Sequence, residues 1–139
     1  MSEQRVVLML SYEDAGRAAD WIVEAFGFEE IERYEDERTV THVTLKLDDG
    51  TVYLGNPGPD YRGPRRLVKT CEAARRMLET PYVVDGVMVQ VVDIEAHYER
   101  ARAAGATILT ELEDNPGIGQ RQYRVEDIEG HRWMFVQPT

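Results

Sequence analysis

Asp93-Ile94-Glu95-Ala96-His97-Tyr98-Glu99-Arg100-Ala101-Arg102-Ala103-Ala104-Gly105 is a helix written with both of its ends. Asp93 is a residue type that caps a first turn, because a short carboxylate reaches the free backbone N–H groups there. Gly105 closes the segment, since it takes the left-handed conformation that ends many helices. Ile94, His97, Tyr98 and Ala101 fall at helical spacing and make one face. The same construction occurs earlier in the chain. Asp14 opens a helix, Gly27 ends it, and Ala18, Trp21, Ile22 and Ala25 form its apolar face. The spans Asp14 to Gly27 and Asp93 to Gly105 differ by a single residue, which is the mark of an internal repeat.

The flanks of the two helices repeat as well. Val6 to Leu10 reads as a buried strand, Phe28 to Tyr34 as a second, and Val40 to Leu47 as a half-buried third. Glu35-Asp36-Glu37-Arg38 reads as a turn, and Asp48-Asp49-Gly50 as a hairpin signal before a strand over Thr51 to Leu54. In the second half, Val84 to Val92 precedes the helix. Thr107 to Thr110, Arg121 to Val125 and His131 to Val136 follow it, with a loop over Glu111 to Gln120 and a turn at Asp127-Ile128-Glu129-Gly130. Each half therefore reads β-α-β-β-β. Residues 1–56 make a first module and 83–139 a second. Residues 57–82 are an insertion, with prolines and glycines in Gly55 to Pro64 and a short helix over Lys69 to Leu78 that Pro81 stops. The expected fold class is α+β: two βαβββ modules whose mixed sheets enclose a cleft, with the helices outside.

Composition narrows the functional classes. With 26 Asp and Glu against 16 Lys and Arg the net charge is −10, the wrong sign for a protein that must neutralise phosphates, so no nucleic-acid partner is expected. The arginines between Arg62 and Arg76 are interleaved with Glu72 and Glu79 and read as a solvated helix face. By steering, an acidic surface favours a cationic guest. The single cysteine, Cys71, allows no internal disulfide, suits a cytoplasmic protein, and reads as a packed thiol. The apolar run at the N-terminus is too short for a signal segment or a membrane span. There is no phosphate-binding glycine loop, nucleophile elbow or zinc-protease helix.

The chain resembles the vicinal oxygen chelate superfamily, which includes glyoxalases, bleomycin-resistance proteins and extradiol dioxygenases. The pieces that carry the resemblance are Asp14-Ala15 with Ala25-Phe26-Gly27-Phe28, Val92-Asp93-Ile94-Glu95-Ala96, Ala103-Ala104-Gly105-Ala106 and Asp127-Ile128-Glu129-Gly130-His131-Arg132-Trp133. Their order and spacing span nearly the whole chain. The resemblance implies two inward-facing ligands from each module around one divalent metal with open positions, on which a substrate's oxygens chelate. It also implies a homodimer.

Laid onto this chain, that pattern puts Val7, Gly86, Tyr53 and Met134 at the ligand positions, a set that holds no ordinary metal. The histidines do not replace them. His42 lies on the strand face opposite Val43 and Leu45, His97 on a helix, and His131 beside the hairpin with parity opposite to Met134, so none is expected in the pocket. Trp21 and Trp133 read as core. Met9, Met88 and Met134 have inward parity, and Ser11 and Gln90 occupy matching inward positions where polar groups fix a ligand's orientation. Arg121 is a candidate fork for a carboxylate or phosphate, set against an ordinary surface role. The expected pocket is thus Val7, Met9, Ser11, Tyr53, Gly86, Met88, Gln90 and Met134, with no metal and no cofactor. The expected partner is a small-molecule ligand rather than nucleic acid or membrane. The first functional reading is a metal-independent small-molecule binding protein. The alternative is a metal-dependent lyase, isomerase or dioxygenase with an atypical site. A third reading is an interaction module assembled through the 57–81 insertion.

Overall fold

The computed structural model describes residues 5–81 and 86–139. Its elements are β1 (Leu8–Ser11), α1 (Ala15–Phe26), β2 (Glu29–Asp36), β3 (Thr39–Leu47), β4 (Gly50–Gly55), α2 (Pro64–Leu67), α3 (Glu72–Met77), β5 (Gly86–Gln90), α4 (Ile94–Ala103), β6 (Thr107–Asn115), β7 (Gln120–Glu126) and β8 (Arg132–Pro138). The strands form two four-stranded mixed sheets, in the orders β1-β4-β3-β2 and β5-β8-β7-β6. In each, the strand before the helix runs parallel to the last strand of its own module, and the other pairs are antiparallel. The repeat read from the sequence is therefore a repeat of topology. The chain divides into two compact units, the first ending at Gly63 and the second beginning at Pro64.

The helix ends form as their residue types require. The Asp14 carboxylate accepts the Arg17 N–H at 3.0 Å, and Gly27 has φ +79° while its N–H reaches the Val23 carbonyl. Asp93 accepts from the Ala96 N–H at 3.2 Å, and Gly105 has φ +88°. In the first unit α1 covers the sheet face built by Val43, Leu45, Val52 and Leu54, and buries Ala18, Ala19, Ile22, Ala25 and Phe26 with them. Trp21 is half-buried at the rim of this core, edge-on to Phe26 with ring centroids 5.1 Å apart. In the second unit α4 lays Ile94, Tyr98 and Ala101 on a face of Tyr123, Val125, Trp133 and Phe135, all buried. Each of these large side chains contributes about 2 kcal/mol by leaving water. His97 belongs to this core: its ring lies 4.1 Å from Phe135, and its Nδ1 is 2.6 Å from the Tyr123 hydroxyl.

Several expectations are corrected. The first strand begins at Leu8 rather than Val6. The expected start of the fifth strand at Val84, and the module boundary at 82–83, lie outside the described residues. The helix expected over Lys69 to Leu78 is shortened to α3, and a separate short helix, α2, precedes it. Pro64, read as loop, opens α2, since proline fits a first helical position whose N–H has no partner anyway. The break between them puts Cys71 in extended conformation (φ −133°, ψ 108°) at the N-cap of α3, where it is exposed rather than packed. The loop expected over Glu111 to Gln120 shrinks to a tight turn, because β6 continues to Asn115. Its acidic residues are poor strand formers. Pairing with β7 overrides that: Asp114 faces Arg121 across the ladder, and the strand accommodates two register shifts. The turn read at Glu35 to Arg38 likewise contracts to Glu37 and Arg38, both with positive φ.

No helix among the described residues is long and apolar enough to cross a membrane. The outer strands β2 and β6 present rows of carboxylates, Glu29, Glu30, Glu32, Glu35 and Asp36 on one and Glu111, Glu113 and Asp114 on the other. Like charge along an edge discourages it from pairing with another chain.

Candidate functional site

Each sheet has one face under its helix and one face free of it. Cross-strand partners share a face, so register fixes what the open faces carry. In the first unit Val43 and Leu45 point to α1, which leaves His42 and Thr44 on the other side. Met9 and Thr44 both pair with Tyr53, and Tyr34 pairs with His42. The open face is therefore Met9, Tyr53, Thr44, His42 and Tyr34. The expectation that His42 points away from the pocket face is corrected here. Being opposite Val43 and Leu45 puts it on the face of Tyr53, because α1 claims the other.

These side chains make a continuous aromatic ledge. The His42 ring lies 4.8 Å from Tyr53, nearly edge-on, and 5.5 Å from Tyr34. His42 Nε2 is 2.7 Å from Thr44 Oγ1, and the Tyr34 hydroxyl donates to Glu32 at 3.0 Å. That hydrogen bond to a carboxylate holds the Tyr34 hydroxyl's pKa above its ordinary value. Met9 stands 76% exposed beside the ledge. Val7 lies just before β1 and is half-buried. Ser11 is at the end of β1 opposite Gly55, and its carbonyl accepts the Tyr61 hydroxyl at 3.0 Å.

In the second unit Met88 pairs with Met134 and Met134 with Arg124, a row across three strands. The neighbouring row is Gly86, Arg132 and Glu126. A cavity of about 190 Å³ opens over these rows, lined by Pro81, Gly86, Met88, Arg124, Arg132 and Met134 together with Val87 and Trp133. A Cβ at Gly86 would stand 3.3 Å from the Arg132 carbonyl oxygen. Three of the expected pocket residues, Gly86, Met88 and Met134, thus line one cavity. Gln90 lies further along β5 opposite Val136 and is exposed. Arg132 is 7% exposed and donates to the carbonyls of Leu78 and Thr80, and to Glu126 at 3.4 Å. Arg121, considered as an anion fork, is occupied by Glu95 and Asp114 of its own chain.

The side chains at the positions where the resemblance implies metal ligands are Val7, Tyr53, Gly86 and Met134. Among the described residues no three His, Cys, Asp or Glu side chains converge to hold a metal ion. Around His42 stand Thr44, Tyr34 and Tyr53. This donor set does not fit a divalent ion. The sequence signals that were missed are His42 and Tyr34, legible from the alternation of β3 once α1 is assigned its face, and Arg124, which reads as an ordinary surface arginine.

Paired βαβββ units, each with its helix on one face of a β1-β4-β3-β2 sheet or its repeat, define the class of small paired-module α+β proteins. The chain belongs to the glyoxalase/bleomycin resistance protein/dioxygenase superfamily, whose family model matches residues 5–135. It is 32% identical over 131 residues to the uncharacterized protein Mb0911c of Mycobacterium bovis, covering 94% of this chain and 80% of that one. Among solved structures it is similar to TioX from Micromonospora sp. ML1, at 34% identity and TM-score 0.71, over 98% of this chain and 97% of the other. The fold is also that of TnmS3, an antibiotic binding protein from Streptomyces sp. CB03234, at 18% identity and TM-score 0.68, over 100% and 99% of the two chains.

Proposed function

We propose that this chain is a small-molecule binding protein that holds its ligand without a metal ion. The observation that carries the reading is the chemistry of the open faces. Where the family resemblance implies ligands for an ion, this chain has Val7, Tyr53, Gly86 and Met134. The surrounding residues are aromatic rings and methionines, and methionine is the most adaptable lining for an apolar guest. Binding of this kind rests on burying apolar ligand surface, with a few polar groups fixing orientation. That a structural relative, TnmS3, is an antibiotic binding protein supports the same reading. The ligand belongs to the class of largely apolar, ring-containing compounds, and a homodimer in the cytoplasm is the setting proposed for it.

The test pairs metal analysis with thermal denaturation. Protein grown with added zinc, nickel, manganese and iron should carry no stoichiometric metal after dialysis. Chelator should leave its melting temperature unchanged. A screen of aromatic natural products should raise it, since any ligand of the native state stabilises that state. A tightly held stoichiometric metal would overturn the proposal in favour of a metal-dependent lyase, isomerase or dioxygenase.

A further inference from the structure

We infer that the open face of the first unit selects a neutral hydroxyaromatic ligand, whose hydroxyl group bonds Nδ1 of His42. This rests on the binding reading above and narrows it to a ligand class and a contact. Two rows of the sheet carry the face, Glu32, Thr44, Tyr53 and Met9 in one and Tyr34 and His42 in the next. All six residues belong to the first unit. Met9 and Tyr34 are exposed, while His42 and Tyr53 are half-buried. Rings and a thioether uncovered side by side are a surface that a flat apolar guest gains by covering.

The polar atoms of this face decide what else the guest carries. Thr44 is buried, and its hydroxyl stands 2.7 Å from His42 Nε2. That contact, with the Tyr34 and Tyr53 rings on either hand, holds the imidazole in place and occupies one of its nitrogens. Among the described residues, His42 Nδ1 and the Tyr53 hydroxyl have no hydrogen-bond partner. A neutral imidazole donates from one nitrogen and accepts at the other, and the Thr44 hydroxyl suits either arrangement. Nδ1 is therefore a donor in one tautomer and an acceptor in the other. A ligand hydroxyl matches both, because it donates and accepts, and it matches the Tyr53 hydroxyl for the same reason. A carboxylate only accepts and an ammonium only donates, so each suits one tautomer alone. A carboxylate also meets Glu32, which pairs with Thr44 in register and whose own carboxylate accepts from the Tyr34 hydroxyl.

The experiment compares naphthol, methylnaphthalene, naphthoate and naphthylmethylamine, which share one ring system. Equilibrium dialysis against an excess of the whole chain at neutral pH gives the affinity of each. Naphthol should bind more tightly than either charged probe. His42→Phe keeps a ring at this position and removes Nδ1, so the ratio of naphthol to methylnaphthalene affinity should fall about fivefold, the usual effect of one neutral hydrogen bond. Tyr53→Phe should lower the same ratio by less. A melting curve for each variant checks that it is folded. In the unaltered protein, naphthol should shift the imidazole NMR signals of His42 and leave those of His97 and His131 in place, a readout that needs no variant. An affinity ratio unchanged in folded His42→Phe, tighter binding of a charged probe, or naphthol binding without a shift at His42 overturns the inference and leaves the binding reading intact. Failure of all four probes to bind overturns the binding reading of this face together with the inference.

Discussion

The carboxylate of Asp127, fully buried, accepts the indole N–H of Trp133 at 3.0 Å and the backbone N–H groups of Glu129 and His131 at 3.0 Å each. One side chain thereby fixes the turn between β7 and β8 and the largest ring of the second core. It also sets the register in which Met134 meets Arg124, so the cavity depends on a residue outside it. Asp127→Ala leaves three donors without their acceptor. A loss of about 3 kcal/mol is expected, from orphaned groups at roughly 1–3 kcal/mol each with partial rescue by water. Urea denaturation of the variant against the parent measures it.

The same turn contains Gly130, with φ +94°, where an added Cβ would stand 2.9 Å from the backbone nitrogen of Arg65. The clashing atom is main chain, and the Arg65 N–H is itself bonded to the Glu129 carbonyl, so neither side yields easily. Gly130→Ala is expected to destabilise by about 1–3 kcal/mol through left-handed strain and contact together. An unchanged denaturation midpoint would contradict this account of the turn.

Tyr123 predicts an alkaline limit to stability. Burial first, and then the neighbouring Tyr98, push its hydroxyl well above the ordinary tyrosine value of 10.0. A raised folded value means that the native state holds this proton more firmly than the unfolded chain does. The stabilisation is complete below about pH 10 and is lost as pH climbs toward the folded value. Tyr123→Phe should flatten the decline of stability above about pH 10. At neutral pH it should cost about 1 kcal/mol, because His97 Nδ1 loses its partner. Denaturation curves across the alkaline range test both halves.

Met88 separates binding from folding. It is 60% exposed, so truncation removes little buried surface, and Met88→Ala should change stability by less than about 0.5 kcal/mol. In the cavity it forms the apolar floor, and the same substitution should weaken an aromatic ligand several-fold, about 1 kcal/mol. Calorimetric titration beside a melting curve distinguishes the two effects.

Much of the fold was legible because short-range physics wrote it. Asp14 with Gly27, and Asp93 with Gly105, bound their helices by capping and left-handed conformation, which depend on a few neighbouring atoms. The alternation through Val43 and Leu45 marked a half-buried strand in the same way. Where local preference and pairing disagreed, pairing decided: the acidic run from Glu111 to Asn115 reads as loop alone but is held as strand by β7. Cys71 was misplaced for a related reason. The run from Lys69 to Leu78 has helical composition, yet its helix begins only at Glu72, which leaves Cys71 extended and exposed at the N-cap position.

The sequence by itself determined the repeated β-α-β-β-β order and the family, since both follow from residue identity at counted positions. Only the tertiary structure decided which strand faces stay open. A strand's alternation says that its two sides differ but not which side a helix will cover. Once α1 covers Val43 and Leu45, His42 joins Tyr34 and Tyr53 on the free face. Once β7 and β8 register, Arg124 comes to stand at the end of the Met88 and Met134 row.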